Sequence, residues 1–190
     1  MSGGGPGDQP EVVEQRGIGV PDRFQRLWTP HRLAYIKGEA EGGGLDPAVC
    51  PFCRIPSLAD EDALVVARGE TVYAVLNLHP YNPGHLMVVP YRHVAELEDL
   101  ADAESAELMA FTQRAVRAMK KASAPHAFNI GLNLGAVAGG SLADHLHQHV
   151  VPRWGGDSNF IAVIGMTKVI PQLLSESWAQ LAEAWASLDD

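Results

Sequence analysis

The segment His145-Leu146-His147-Gln148-His149 alternates imidazoles with other side chains, residue by residue. On an extended strand, side chains two apart face the same way. The three histidines therefore share one face, and Leu146, Gln148 and Val150 share the other. Each imidazole carries two nitrogens that need partners, so a row of three is a poor way to fill an apolar core. The pattern predicts a strand over His145 to Val151, closed by Pro152, with a polar site on one face.

The rest of the chain supplies the sheet to hold it. Thr71 to Leu78 alternates Val72, Ala74 and Leu76 with Tyr73, Val75 and Asn77, the mark of a half-buried strand. Ala63 to Ala67 and His85 to Pro90 read as two further strands, and His126 to Asn133 as another. The short loop His79-Pro80-Tyr81-Asn82-Pro83-Gly84 makes its flanking strands antiparallel neighbours. Ala103 to Ala122 is the main helix, with Leu108, Phe111, Ala115 and Met119 on one face. A last helix from Pro171 to Ser187 carries the stripe Leu174, Trp178, Leu181, Trp185, Leu188, read as core packing, with a subunit contact as the alternative. The order β-β-β-α-β-β-α predicts an α+β fold: one antiparallel sheet with helices on one side.

With 190 residues, the chain is long enough for one well-buried core and short for two. Residues 1–19, rich in Gly and Pro, read as a disordered tail, leaving 20–190 as a single domain. The net charge of −9 argues against a nucleic-acid partner but leaves room for a small phosphate ligand. No apolar run approaches the roughly 20 residues that span a bilayer, and the start lacks the apolar core of a signal peptide, so a cytoplasmic protein is expected. Cys50 and Cys53, in Cys-Pro-Phe-Cys, suit a metal or redox role better than a secreted disulfide.

Two chemistries compete for the triplet. It binds a catalytic metal ion, or one imidazole acts as a nucleophile, which a neutral ring with an unperturbed pKa of about 6.5 does well. The flanks favour the nucleophile. Asn133 to Ser141 is rich in small residues, whose backbone N–H groups can approach phosphate oxygens, and Ser141 adds a hydroxyl.

His-x-His-x-His followed by Val150-Val151 resembles the histidine-triad superfamily of nucleotide hydrolases and transferases. Leu27 to Arg32 with Tyr35-Ile36 resembles the N-terminal segment of its bacterial members, although a second Trp is more usual where His31 stands. Asn77 through Pro83-Gly84-His85 resembles the family's Asn-loop-Pro-Gly-His element. Pro152 to Phe160 resembles the tail of an actinobacterial branch that phosphorolyses diadenosine tetraphosphate. Gln148 departs from the family pattern, being polar where an apolar residue is usual, so packing behind the strand is expected to differ.

The resemblance implies that His147 attacks the α-phosphorus to form a nucleotidyl-histidine, and that His149 contacts the phosphate and assists the leaving group. It places His85 near the same phosphate, Asn77 on the ribose, and Asn133, Gly139, Gly140 and Ser141 around the phosphates. Trp154 either positions substrate or belongs to the core. A structural zinc ion is implied on Cys50, Cys53, His93 and His145, with a free or redox-active Cys pair as the alternative. No organic cofactor is expected; a divalent cation accompanying the polyphosphate is. His31, His79 and His126 are left as ordinary polar residues. The expected reaction uses inorganic phosphate as acceptor, giving ADP and ATP. Hydrolysis through the same intermediate is the alternative, and a non-catalytic, zinc-stabilised nucleotide-binding module is the alternative from another class. A homodimer or higher homo-oligomer is implied.

Overall fold

The computed structural model describes residues 50–138, 142–158, 164 and 169–188. The expected N-terminal tail, the segment Leu27 to Ile36, the loop residues Gly139, Gly140 and Ser141, and Asn159-Phe160 lie outside the described residues.

After a short helix α1 (Pro51–Arg54) and a second, α2 (Asp60–Ala63), the chain forms β1 (Val65–Arg68), β2 (Val72–Leu76) and β3 (Leu86–Pro90). The long helix α3 (Asp102–Ser123) follows, then β4 (Ala127–Leu132), β5 (Gln148–Arg153) and the last helix α4 (Leu174–Ala186). The strands make one sheet in the order β1-β2-β3-β5-β4, every pairing antiparallel. The α+β expectation and the order of strands and long helices hold.

Alternation divides the sheet into two packed faces. Val72, Ala74, Leu76, Leu86, Val88 and Val150 point toward α3 and α4, where they meet Leu108, Ala115, Met119, Leu181 and Trp185. Trp178, and Leu188 just past the end of α4, border this core, so the stripe packs inward as expected from Trp178 onward, whereas Leu174 is not part of the cluster. The other face carries Tyr73, Val75, Met87 and Val89 under Cys50 and Phe52 of the Cys loop. At the start of α3, the Glu104 carboxylate accepts from the Ala101 N–H at 2.8 Å and pairs with Arg92 at 2.6 Å. The helix stops at Ala124, which takes a left-handed φ of 45° before Pro125, because the residue preceding a proline is disfavoured from continuing a helix.

Two boundaries differ from the sequence reading. The pairing of β5 begins at Gln148, so His145 and His147 lie on the lead-in, which is held to Val94 by the Leu146 N–H at 2.6 Å. Pro152 lies inside β5 rather than closing it. A proline lacks the ladder donor, but the β3–β5 pairing covers only Leu86–Val88 against Gln148–Val150. Beyond that point no β3 carbonyl calls for the missing N–H, and the Pro152 carbonyl takes the Asn82 side-chain amide instead, at 2.8 Å.

Gln148 is buried among these layers, yet its amide is satisfied. It donates to the Thr112 hydroxyl of α3 at 2.6 Å, and that hydroxyl donates on to the Leu108 carbonyl at 2.7 Å. The polar residue on the apolar side of the strand thus reaches a hydroxyl provided by the helix.

Candidate active site and metal centre

The β3–β5 register sets Met87 opposite His149. His85, two residues before Met87 on the same face, becomes a diagonal neighbour of His149, within reach of a long side chain. The two rings meet: His85 Nε2 lies 3.0 Å from His149 Nδ1. Both sit on the sheet face away from the long helices.

The partners assign the protons. A backbone N–H can only donate, and that of Tyr81 points at His85 Nδ1 from 3.0 Å. The neutral His85 ring therefore carries its proton on Nε2 and donates to His149 Nδ1. His149 in turn carries its proton on Nε2. The Asn133 side-chain amide lies 3.4 Å from that nitrogen, and turned oxygen-inward it accepts the proton. Burial, followed by the neighbouring His149 and His147, pushes His85 down to about 3. Burial and then His147 push His149 down to about 4. The pair is therefore neutral near pH 7.

His147 has the opposite tautomer. Its Nδ1 lies 2.8 Å from the His145 carbonyl, which only accepts, so Nδ1 holds the proton and Nε2 holds the lone pair. Burial lowers its pKa below the ordinary 6.5, partly offset by that carbonyl, so the lone pair is free at neutral pH. The ring packs against Phe52 on one side and His149 on the other, with centroids 4.9 Å away in each case. An imidazole with a free nitrogen beside one that carries an N–H can attack an electrophile and have what is displaced stabilised by a hydrogen bond.

His145 faces the Cys loop. Its Nε2 donates to the Pro90 carbonyl at 2.9 Å, which leaves Nδ1 as a lone pair 3.4 Å from Cys50 Sγ and 3.5 Å from Cys53 Sγ. His93 Nδ1 lies 3.3 Å from Cys53 Sγ. All four donor atoms fall within 4.8 Å of one another, so the set could hold a metal ion. Bond lengths of about 2.3 Å to sulfur and 2.0–2.1 Å to nitrogen at tetrahedral angles give sulfur–nitrogen edges of about 3.6 Å. The spacing fits such an ion, and the Nε2–H bond to a carbonyl is the outer contact that orients a ligating imidazole. The three histidines of the triplet thus face different partners; they do not converge on one metal.

The structure places the remaining candidates less uniformly. Asn77 uses its side chain locally: Oδ1 accepts the His79 N–H at 2.9 Å, and Nδ2 lies 3.4 Å from His85 Nδ1. Trp154 follows the parity of Val150 and Pro152, so it points to the helix side. Its indole donates to the Ser123 carbonyl at 3.3 Å, beside a cavity of about 490 Å³ that it lines with Met119, Pro152 and Leu181. That cavity is lined by none of the three triplet histidines, and Trp154 stands apart from them. Its size does not make it the reaction centre; the paired tautomers lie elsewhere. His126 accepts from the Gly155 N–H at 2.9 Å and so serves the turn after β5. Sequence reasoning passed over Tyr81 and Phe52. The first lies four residues before His85 in a loop already singled out, and the second stands between the two cysteines, so spacing was the available signal in both cases.

An open five-stranded sheet sets an imidazole with a free nitrogen beside a second imidazole of the opposite tautomer. The chain matches the HIT domain model over residues 59–156 and belongs to that family. It is 63% identical over 180 residues to the AP-4-A phosphorylase of Mycobacterium tuberculosis, covering 92% of this chain and 91% of the relative. Among solved structures, it resembles a Zn-bound histidine triad family protein from Mycobacterium smegmatis, with a TM-score of 0.63 and 29% identity over 76% of this chain and 98% of that one. A hypothetical histidine triad nucleotide-binding protein from Sulfolobus tokodaii strain7 matches with a TM-score of 0.60 and 25% identity, over 74% and 94% of the two chains.

Proposed function

We propose that the protein is a nucleotidyltransferase that phosphorolyses diadenosine tetraphosphate. The observation that carries the chemistry is the opposed protonation of His147 and His149. The 63% identity to an AP-4-A phosphorylase over nearly the whole chain supports the substrate and the phosphate acceptor.

His147 Nε2 attacks the α-phosphorus. A P–N bond forms, the bond to the bridging oxygen breaks, and ATP leaves as AMP remains on His147. The ring gains positive charge as it bonds, and the His145 carbonyl on Nδ1–H stabilises that charge. His149 Nε2–H hydrogen-bonds the phosphoryl oxygens and the departing group, drawing on His85 behind it. Inorganic phosphate then attacks the same phosphorus, the P–N bond breaks, and ADP leaves. Asn133, next to His149, contributes a further phosphate contact, and Asn77, next to His85, takes the ribose contact that the family resemblance implies. Gly139, Gly140 and Ser141, four or more residues before His145, supply phosphate contacts.

Cys50, Cys53, His93 and His145 would hold a structural zinc ion, which would neutralise the two thiolates and tie the Cys loop to the triplet strand. Thiols in that role favour a reducing compartment and hence the cytoplasm. Among the described residues, no helix is long and apolar enough to cross a membrane. We assign the functional unit to a homo-oligomer, as the family resemblance implies.

The test is to incubate the protein with diadenosine tetraphosphate with and without phosphate and to identify the products. ADP and ATP in equal amounts, formed only with phosphate, are expected. AMP at equal rates in both reactions, with ADP absent, overturns phosphorolysis in favour of hydrolysis. A nucleotide adduct in the wild type that is missing in His147→Ala separates either enzyme from a binding module without turnover.

A further inference from the structure

Tyr81 is a large aromatic residue left 54% exposed on the β2–β3 loop, and core packing does not explain its place. The loop beneath it is tied down at several points. The Asn77 N–H donates to the His85 carbonyl at 2.9 Å, and the His85 N–H to the Asn82 carbonyl at 3.1 Å. The buried Asn82 amide donates to the Pro152 carbonyl at 2.8 Å and to Asp157 at 2.7 Å. Asp157 is itself gripped by Arg153 through two hydrogen bonds, of 2.6 and 2.9 Å. An exposed ring on a loop this restrained is held in one place.

That place is over the histidine pair. The Tyr81 ring lies 4.9 Å from the His85 ring at 32°, and 6.1 Å from the His149 ring at 30°. We propose that Tyr81 is a positioning residue for His149. Its backbone N–H fixes which nitrogen of His85 is protonated, and through it the tautomer of His149. Its ring, itself half exposed, lies face-on against both imidazoles. Rotation of the His149 ring about its Cβ–Cγ bond would swap Nδ1 with Cδ2 and Nε2 with Cε1, breaking the hydrogen bond from His85 that fixes the tautomer and aiming a C–H at the phosphate. The stacked phenol ring opposes that rotation and keeps water off the His85–His149 hydrogen bond. The hydroxyl plays no part, because the contact is made by the ring face. The inference rests on the proposed role of His149 as the donor to the phosphate and leaving group.

The test compares Tyr81→Phe, Tyr81→Ala and His149→Ala in the full-length chain, with diadenosine tetraphosphate and phosphate as substrates. Tyr81→Phe is expected within about twofold of wild-type kcat, and Tyr81→Ala to lose about 10–100-fold in kcat with KM changed less than about threefold, the scale of a misplaced catalytic group. Nitrogen-15 NMR of the imidazoles gives a readout independent of turnover: one His149 tautomer, protonated on Nε2, in wild type and Tyr81→Phe, and a mixture in Tyr81→Ala. An unchanged kcat and a single tautomer in Tyr81→Ala overturn the proposal. So does a KM increase with kcat preserved, which makes Tyr81 a wall of the substrate site, or an equal loss in Tyr81→Phe, which makes the hydroxyl the active part. If His149→Ala turns over like wild type, the donor role of His149 fails and the proposal falls with it. If His149→Ala is impaired while Tyr81→Ala is not, the proposal alone fails.

Discussion

The Phe52 ring lies 4.9 Å from the His147 ring, centroid to centroid, tilted by 46°. Phe52 is also the residue just before Cys53, and its carbonyl accepts a buried 2.8 Å hydrogen bond from the Tyr73 hydroxyl. One residue therefore links the loop of the two cysteines to His147. Phe52→Ala removes the surface against which His147 packs. We expect a loss of roughly 3–5 kcal/mol in stability, as for other buried aromatic truncations, and a larger relative fall in kcat than in Phe52→Leu. Equal kcat in the two variants, measured at a temperature where both remain folded, argues against the packing role.

Removal of a proposed zinc ligand gives the second expectation. Cys50 is 1% exposed and faces His145, so Cys50→Ser puts a weaker ligand in a buried place. Metal analysis of the purified wild type should find about one zinc per chain, with most of it lost in Cys50→Ser, and the variant should melt well below the wild type because bound zinc contributes to folding directly. His147→Ala should retain its zinc. Loss of zinc in His147→Ala with retention in Cys50→Ser would place the ion on the triplet instead.

Gln148 and Thr112 form a buried polar pair at 2.6 Å. Gln148→Leu leaves the Thr112 hydroxyl with its Leu108 acceptor, whereas Thr112→Val strands the Gln148 amide. Stranding a buried donor costs about 1–3 kcal/mol, whereas replacing both partners by apolar groups is nearly neutral. Denaturant unfolding of the two single variants and the double should therefore show Thr112→Val as the most destabilised, with the double variant recovering much of the loss. Additive effects would mean that the pair is not coupled.

The depressed pKa values of His85 and His149 predict acid sensitivity. The unfolded imidazoles titrate near 6.5, and the folded ones at about 3 and about 4. Above about pH 6.5, both states hold neutral rings and the contribution of the pair to stability is fully present. As the pH falls below that value, the unfolded chain binds protons that the folded chain excludes, and the contribution is progressively lost down to the folded values. His147 and the Tyr81 phenol face the same pair. The melting temperature should fall between pH 7 and pH 5, and fall less steeply in His85→Asn. Parallel slopes in the two proteins would show that other groups govern acid unfolding.

The faces of the sheet and the long helices were legible because each is a local pattern. Alternation in Thr71 to Leu78 separated Val72, Ala74 and Leu76 from Tyr73 and Val75, and the structure sends those groups to different cores, so the strand is buried on both faces and not half-buried as the alternation implied. Helical spacing likewise brought Leu108, Ala115 and Met119 together on α3. The Cys pair and the triplet were visible by spacing, while the joining of His93 and His145 to the cysteines came from family resemblance and not from the chain's own periodicity. The end of β5 was misread because a proline stops a strand only where a ladder donor is required, and that depends on how far β3 extends.

By itself, the sequence determined that three histidines occupy alternate positions, because side-chain direction on an extended chain follows from the backbone alone. What each histidine faces was decided by tertiary structure. Strand register brings His85 to His149 across 64 residues of sequence, and the chain path carries Cys50 to His145 across 95. The site of each proton depends on those distant partners: the Tyr81 N–H for His85, the His145 carbonyl for His147 and the Pro90 carbonyl for His145. An imidazole is nucleophile, donor or metal ligand according to which nitrogen is left free, and that choice is made by hydrogen bonds that exist only once the sheet has closed.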